Sequence, residues 1–254
     1  MHSIISIFSS RFLFPLWSMI HKASLLLMGY SYVHHNETNL MLALQRFYKN
    51  KKIIFFDIGL NIGAYTKEIY EIFNSNMVAY GFEPVMGTYQ MAEKTLTWIP
   101  GIHIYQHGMA DSEKDIDIHF NTIGEGTASI VWGEWTQSEK IHLRTVDEFV
   151  IENSVEHIDF MKVDVEGYEY FVLQWAMNMI EQGKIDIIQF EFFRTNIDSK
   201  VFFRDFWDLL SSRYTLYRIL NNSLKEITHY HPADCEIFLG MNYLAVKKGV
   251  PFVY

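Results

Sequence analysis

The sequence predicts an α/β protein with a mostly parallel, seven-stranded sheet and helices on both faces. Three observations lead there. Short apolar runs alternate with segments of helical period from residue 51 onward. The first run ends in a glycine-bearing turn, Asp57-Ile58-Gly59-Leu60-Asn61-Ile62-Gly63, that leads straight into a helical pattern. Acids follow several of the runs, where the carboxyl ends of parallel strands would lie.

The strands are expected at 53–58, 78–82, 102–106, 158–163, 185–190, 214–220 and 238–246. Between them, Ile62, Tyr65, Ile69, Ile72 and Phe73 share one helical face. Tyr168, Phe171, Val172, Trp175 and Met179 share another, and Phe202, Phe203, Phe206, Leu209 and Leu210 a third. Such stripes read as core. Residues 115–120 alternate polar and apolar, as a half-exposed strand does, and residues 121–129 have loop composition. Two regions result: an N-terminal helical extension, 1–50, and one catalytic domain, 51–254.

Composition narrows the function. Hydrophobic residues make up 49% of the 254, enough for a substantial core. The net charge is −9 and no dense Lys/Arg cluster occurs, which argues against a nucleic-acid partner. The single cysteine, Cys235, cannot form an internal disulfide and suits a reducing, cytoplasmic setting. Residues 3–33 are rich in Ile, Leu, Phe and Met, but Arg11, Pro15 and Lys22 interrupt them. A spanning helix needs about 20 consecutive apolar residues. A signal peptide carries its positive charge ahead of the apolar run, whereas Arg11 lies inside it. The segment is expected to pack or dock as surface helices, with peripheral membrane association through residues 1–33 as the alternative.

The turn at 57–63 points to a cofactor. Glycine permits a sharp turn and close approach of a ligand, and Asp57 offers an anion at the strand tip. The dinucleotide pattern G-x-G-x-x-G is broken, because Asn61 and Ala64 stand at its second and third glycine positions. S-adenosylmethionine carries a sulfonium and an ammonium rather than a pyrophosphate, and carboxylates and carbonyls suit it better. Glu83, in Gly81-Phe82-Glu83-Pro84, follows the second strand and is placed to accept both ribose hydroxyls. After the third strand, Met109 can pack on an adenine and Asp111 can accept from its amino group. The run Lys162-Val163-Asp164-Val165-Glu166-Gly167-Tyr168-Glu169 puts three acids at one strand tip, more than a helix cap requires. Glu191 ends a further strand at the same edge.

These motifs, with Leu143-Arg144-Thr145-Val146-Asp147-Glu148-Phe149, resemble the FkbM-type methyltransferases in order and spacing across roughly residues 50–248. The resemblance implies a Rossmann-like fold, S-adenosylmethionine as cofactor, and O-methylation of a hydroxyl on a sugar, glycan or secondary metabolite. It implies that Asp57, Gly59, Asn61 and Gly63 line the methionine and ribose end, and that Glu83 holds the ribose. It also implies that Asp164, Glu166 and Glu169 lie beside the reaction centre. Leu60 stands where the family usually has Ala, and Ala110 stands where it often has Ser.

Methyl transfer to oxygen needs a general base. The candidates are Glu166 and Asp164, with Glu191 and His142 behind them. No metal site is assigned; were a divalent cation to take part, the same acids would be its ligands. The loop 121–129 is placed to close over the substrate, with Trp132 and Trp135 as a stacking wall or as core. Two other classes compete: a nicotinamide-dependent oxidoreductase or epimerase, and a silent binding module. The broken glycine pattern and the lack of a convincing Tyr-x-x-x-Lys count against the first. The retained acids count against the second.

Overall fold

Ile53–Ile58 (β1) is apolar at every position but Asp57 and is buried along nearly its whole length. A strand like this must be covered on both faces. The computed structural model describes residues 13–28, 37–49, 51–126, 128–130, 135–220 and 222–254. In it β1 is flanked in parallel by Met77–Phe82 (β2) and Ile158–Val163 (β7), and sits inside an eight-stranded sheet. Ile102–Tyr105 (β3) lies beyond β2, and Ile185–Phe192 (β8) beyond β7, all parallel. Met241–Lys247 (β11), Tyr214–Leu220 (β9) and Ser223–Ile227 (β10) complete the order β10-β9-β11-β8-β7-β1-β2-β3 with antiparallel pairings.

Alternate side chains leave the sheet on opposite faces. Phe55, Phe160, Ile187 and Leu244 meet Leu40, Met41 and Leu44 of Glu37–Tyr48 (α2) and Ile69 of Ala64–Phe73 (α3). On the other face, Phe56, Phe82, Met161 and Phe190 meet three further helices. These are Val146–Glu152 (α5), Glu169–Gln174 (α6) and Phe203–Leu210 (α9), through Phe149, Val172 and Phe206. The high aromatic content is spent here: Phe55 stacks on Phe160 at 5.3 Å and Phe190 on Phe206 at 4.7 Å. Each fully buried phenylalanine contributes about 1.5–3 kcal/mol of transfer free energy. Trp175, expected on a core stripe, is instead 46% exposed at the C-cap of α6, which ends at Gln174, whereas Met179 of the same stripe is buried.

The seven strands expected are corrected to eight, with a second sheet besides. Ser223–Ile227 alternates too weakly to stand out, and is a strand because it hairpins onto β9. Gly108–Met109 (β4), Lys114–Phe120 (β5) and Gln137–Arg144 (β6) form a separate three-stranded sheet in the order β4-β6-β5. This sheet is inserted between β3 and β7 and has its own small core of Ile118, Phe120, Ile141 and Leu143. Phe14–Leu27 (α1) buries only Leu25. No helix among the described residues is long and apolar enough to cross a membrane.

Candidate active site

The turn after β1 owes its shape to three left-handed residues, Gly59, Asn61 and Gly63, at φ +89°, +50° and +81°. A side chain at Gly59 would be impossible: its Cβ would lie 1.8 Å from the carbonyl oxygen of Asp164. The tips of β1 and β7 are therefore in backbone contact. Leu60 fits because it turns into a pocket with Ala92, Leu96 and Ile99, and Gly81 faces it without a side chain.

Glu83 ties the turn to β2. Its Oε2 accepts from the backbone N–H of Asn61 at 3.1 Å and its Oε1 from that of Val85 at 2.9 Å. Each oxygen keeps a lone pair for a ribose hydroxyl. Burial pushes its carboxyl up to about 7, although the two backbone donors pull it down. Pro84 precedes the N-cap Val85 of Met86–Leu96 (α4), so it sits just outside the helix.

A cavity of about 520 Å³ opens above these tips. Gly59, Asn61, Glu83, Met109, Asp164, Glu166 and Glu191 all line it. Asp57, Gly63 and Asp111, expected at the cofactor, do not line it. Asp57 points down the β1 face, 1% exposed, with Oδ2 accepting from Thr66 Oγ1 at 2.6 Å. Gly63 is the N-cap of α3 and backs onto Leu96. Asp111 is engaged by Lys114 at 2.6 Å, with Tyr168 OH 3.4 Å away. His142 is on the exposed face of β6 beside Asp115, away from the cavity, because alternation along that strand turns it outward.

The run 162–169 divides its charges among different tasks. Lys162 is buried and donates to Asp164 Oδ2 at 2.7 Å. Burial alone would lower its pKa, but Asp164, Asp57 and Glu37 raise it, so it stays a cation. Glu169 is 1% exposed and clamps the loop, accepting from the N–H groups of Val165 and Gly167 at 3.0 and 3.1 Å. It therefore positions the reaction side without reaching the cavity. Glu166 takes a left-handed φ of +53°, and its carbonyl accepts from Ser129 Oγ at 2.9 Å. Strain of this kind, about 1–3 kcal/mol, is retained where the surroundings enforce it, often at functional sites.

Carboxylate oxygens of Asp164, Glu166 and Glu191 lie within 4.8 Å of one another. Burial, then Asp164 and Glu169, push the Glu166 carboxyl up to about 8. Burial, then Asp164 and Glu166, drive Glu191 well above the usual carboxylate range. Like charges this close and this sheltered do not all ionise. The same oxygens could ligate a divalent cation. At the opposite edge of the sheet, His157, Asp159 and Asp186 also converge, but Lys51 and Lys247 pair with them, making a structural ion cluster.

A polar layer under the site was not foreseen. Asp57, Lys162 and Gln189 lie in register on adjacent strands and face α2 and α3. Tyr65 OH donates to Gln189 Oε1 at 2.9 Å. Gln189 Nε2 and Asn242 Nδ2 both donate to Glu37 Oε1, at 2.9 and 3.0 Å. Asn242 lines the cavity opposite Glu191 in the β8–β11 pair. A Gln in an otherwise apolar run was the one available signal; Glu37 and Asn242 gave none.

The inserted sheet roofs the cavity with Ile118, Phe120, Ile141 and Leu143. The loop after β5 lies over the cofactor turn: Gly124 N donates to Thr88 Oγ1 at 3.2 Å, and a Cβ on Gly126 would lie 2.9 Å from Asn61 Nδ2. Trp135 lines the cavity, with its indole N–H lacking a partner among the described residues. Trp132 lies outside the described residues.

S-adenosylmethionine fits these groups. Asn61 presents a buried Oδ1 with no partner among the described residues, Glu83 lines the cavity beside it, and the acids beyond suit a ligand with two positive centres. No curated protein matches this sequence. Among solved structures, the FkbM methyltransferase of Methylobacillus flagellatus superposes with a TM-score of 0.50 at 14% identity, over 77% of this chain and 44% of that one. This chain thus spans less than half of that protein's length. An S-adenosylmethionine-dependent O-methyltransferase of Thermotoga maritima gives 0.44 at 12% identity, over 85% of this chain and 66% of that one. Aeropyrum pernix fibrillarin, with S-adenosylmethionine bound, gives 0.44 at 13%, over 82% and 74%. A sequence profile of the methyltransferase FkbM domain matches residues 57–219, from the acid at the tip of β1 to the end of β9. That match spans the cofactor turn, the inserted sheet and the acidic run alike, and by it the chain belongs to the FkbM methyltransferase family, whose cofactor is S-adenosylmethionine.

Proposed function

We propose that the chain transfers a methyl group from S-adenosylmethionine to a hydroxyl of a sugar, glycan or secondary metabolite. The observation that carries this reading is the convergence of Asp164, Glu166 and Glu191 on the β7–β8 side of the cavity, across β1 from Glu83, just after β2, which would hold the ribose. The bound cofactor supplies an electrophilic methyl group. A hydroxyl attacks it poorly while it keeps its proton. Glu166 lines the cavity with a carboxyl raised to about 8, near the working range of a general base, and takes that proton. Glu191 keeps its own proton at neutral pH and donates a hydrogen bond to the acceptor. Lys162 neutralises Asp164 from below, so the cluster does not accumulate three negative charges.

Two features support a hydroxyl-bearing acceptor. Asn242, Arg194 and Thr195 line the cavity near Glu191, and Thr195 Oγ1 lacks a partner among the described residues. Above them the roof is apolar, which suits the flat face of a ring.

Calorimetric titration with S-adenosylmethionine, and with NAD in parallel, tests the cofactor. Transfer of tritiated methyl to a panel of methyl glycosides, oligosaccharides and phenols tests the acceptor. Micromolar S-adenosylmethionine binding with label in a hydroxylated acceptor is expected. Binding of NAD instead, or label only in amines, would overturn the proposal.

A further inference from the structure

The N-terminal helix α1 is apolar yet lies almost wholly outside the core. Leu25, 6% exposed, is its only buried residue. Leu16, Met19, Ile20, Ala23, Leu26 and Leu27 follow i, i+3, i+4, i+7 spacing and form one stripe. That stripe faces away from Leu25, since positions 16 and 27 fall roughly 180° and 200° around the helix from it at about 100° per residue. Its side chains are open to solvent: Leu27 is 90% exposed, Leu26 64% and Met19 61%. A soluble helix buries such a stripe.

Charge identifies what covers it. None of the chain's 30 acids occurs before Glu37. The same stretch carries Arg11, Lys22 and four histidines, in a protein whose net charge is −9. Lys22 edges the stripe beside Leu26 and does not interrupt it. An acid-free apolar face edged by a lysine matches the acyl–headgroup boundary of a bilayer with anionic lipid. Fourteen residues make a helix of about 21 Å, short of the ~30 Å hydrocarbon core, so α1 would lie in the interface and not cross it.

We propose that α1 docks this protein on an anionic membrane surface through Leu16, Met19, Ile20, Leu26 and Leu27. The inference does not depend on the identity of the methyl acceptor.

Flotation of the full chain with vesicles of phosphatidylcholine and phosphatidylglycerol in a 7:3 ratio tests it. The chain should float, with less recovered on pure phosphatidylcholine. The double variant Leu26→Ser/Leu27→Ser removes two exposed side chains, and should lower the vesicle partition by about tenfold or more per substitution, while its melting temperature is unchanged. Lys22→Glu should lower the partition on anionic vesicles alone. Absence of flotation on either vesicle would overturn the proposal. So would a concentration-dependent dimer abolished by the double variant, or retention in the membrane after alkaline carbonate extraction. Titration of S-adenosylmethionine into the same variant separates this proposal from the catalytic one: full affinity with lost flotation is expected.

Discussion

The strand tips beneath the cavity and the inserted sheet above it meet the same ligands with different materials. The floor is close-packed backbone in left-handed turns, with Glu83, Asp164, Glu166 and Glu191 held above a hydrogen-bonded polar layer. The roof is a small three-stranded sheet whose inward residues are aliphatic and aromatic, closed at one end by a glycine-bearing loop. The floor can hold charge and move a proton. The roof can exclude water and shape the acceptor. Substitutions in the floor should therefore alter chemistry and cofactor affinity, whereas those in the roof should alter selectivity.

The sharpest test of that division is Glu166→Gln. As the general base it should cost about 10²–10⁴-fold in turnover and leave S-adenosylmethionine affinity nearly unchanged, by calorimetry on the same preparation. A parallel loss of affinity and rate would move Glu166 from proton transfer to cofactor binding. Glu83→Ala comes next. It removes the carboxylate proposed to hold the ribose and strands the N–H groups of Asn61 and Val85. Roughly 2–3 kcal/mol of binding, about 30–150-fold in Kd, should vanish. Glu169→Ala leaves the N–H groups of Val165 and Gly167 without their acceptor. It should cost about 3 kcal/mol of stability by chemical denaturation, and distort Glu166 with it. In the roof, Trp135→Ala should raise KM for the acceptor about tenfold, with kcat and cofactor affinity held; a fall in kcat alone would break the comparison.

The pH dependence follows from the floor. Burial raises the carboxyl of Asp57 to about 6, of Glu83 and Glu169 to about 7 and of Glu166 to about 8. In each, the folded pKa exceeds the unfolded value near 4, so the folded chain binds protons that the unfolded chain releases. This contribution to stability is fully present below about pH 4 and is lost as pH rises through about 6 to 8. Without cofactor, the melting temperature contribution from these groups should therefore fall from pH 6 to 8.5. A cationic ligand favours the ionised carboxylates. S-adenosylmethionine should bind with proton release near neutral pH, read from the buffer dependence of the calorimetric enthalpy.

Local rules explain what could be read directly. Apolar runs of strand length, bounded by glycine and acid, mark β1, β2, β7 and β8, because strands buried on both faces have little choice of residue. Gly59 and Gly63 announce a left-handed turn because other residues adopt that backbone at a cost. The acids after β2 and β7, and Glu191 at the end of β8, announce a site because the carboxyl ends of parallel strands share one edge. The inserted sheet was half legible: β5 alternates, while β4 has only two residues.

Burial and long-range pairing decided the rest. Asp57 and Glu166 look equivalent in the chain, each an acid beside a strand tip. Strand alternation turns Asp57 down onto Thr66, whereas a left-handed backbone turns Glu166 up into the cavity. Glu169 has the same composition-level signal as Glu166 and becomes a loop clamp because two N–H groups reach it first. Glu37 joins the site across 152 residues to Gln189 and 205 to Asn242. No periodicity records such a meeting. The sequence by itself determined the sheet, the cofactor turn and the edge where chemistry occurs, since these follow from the near-neighbour preferences of backbone and side chain. Only the tertiary structure decided which acid lines the cavity, which is clamp and which is foundation, because those placements depend on the burial and partners that distant segments impose.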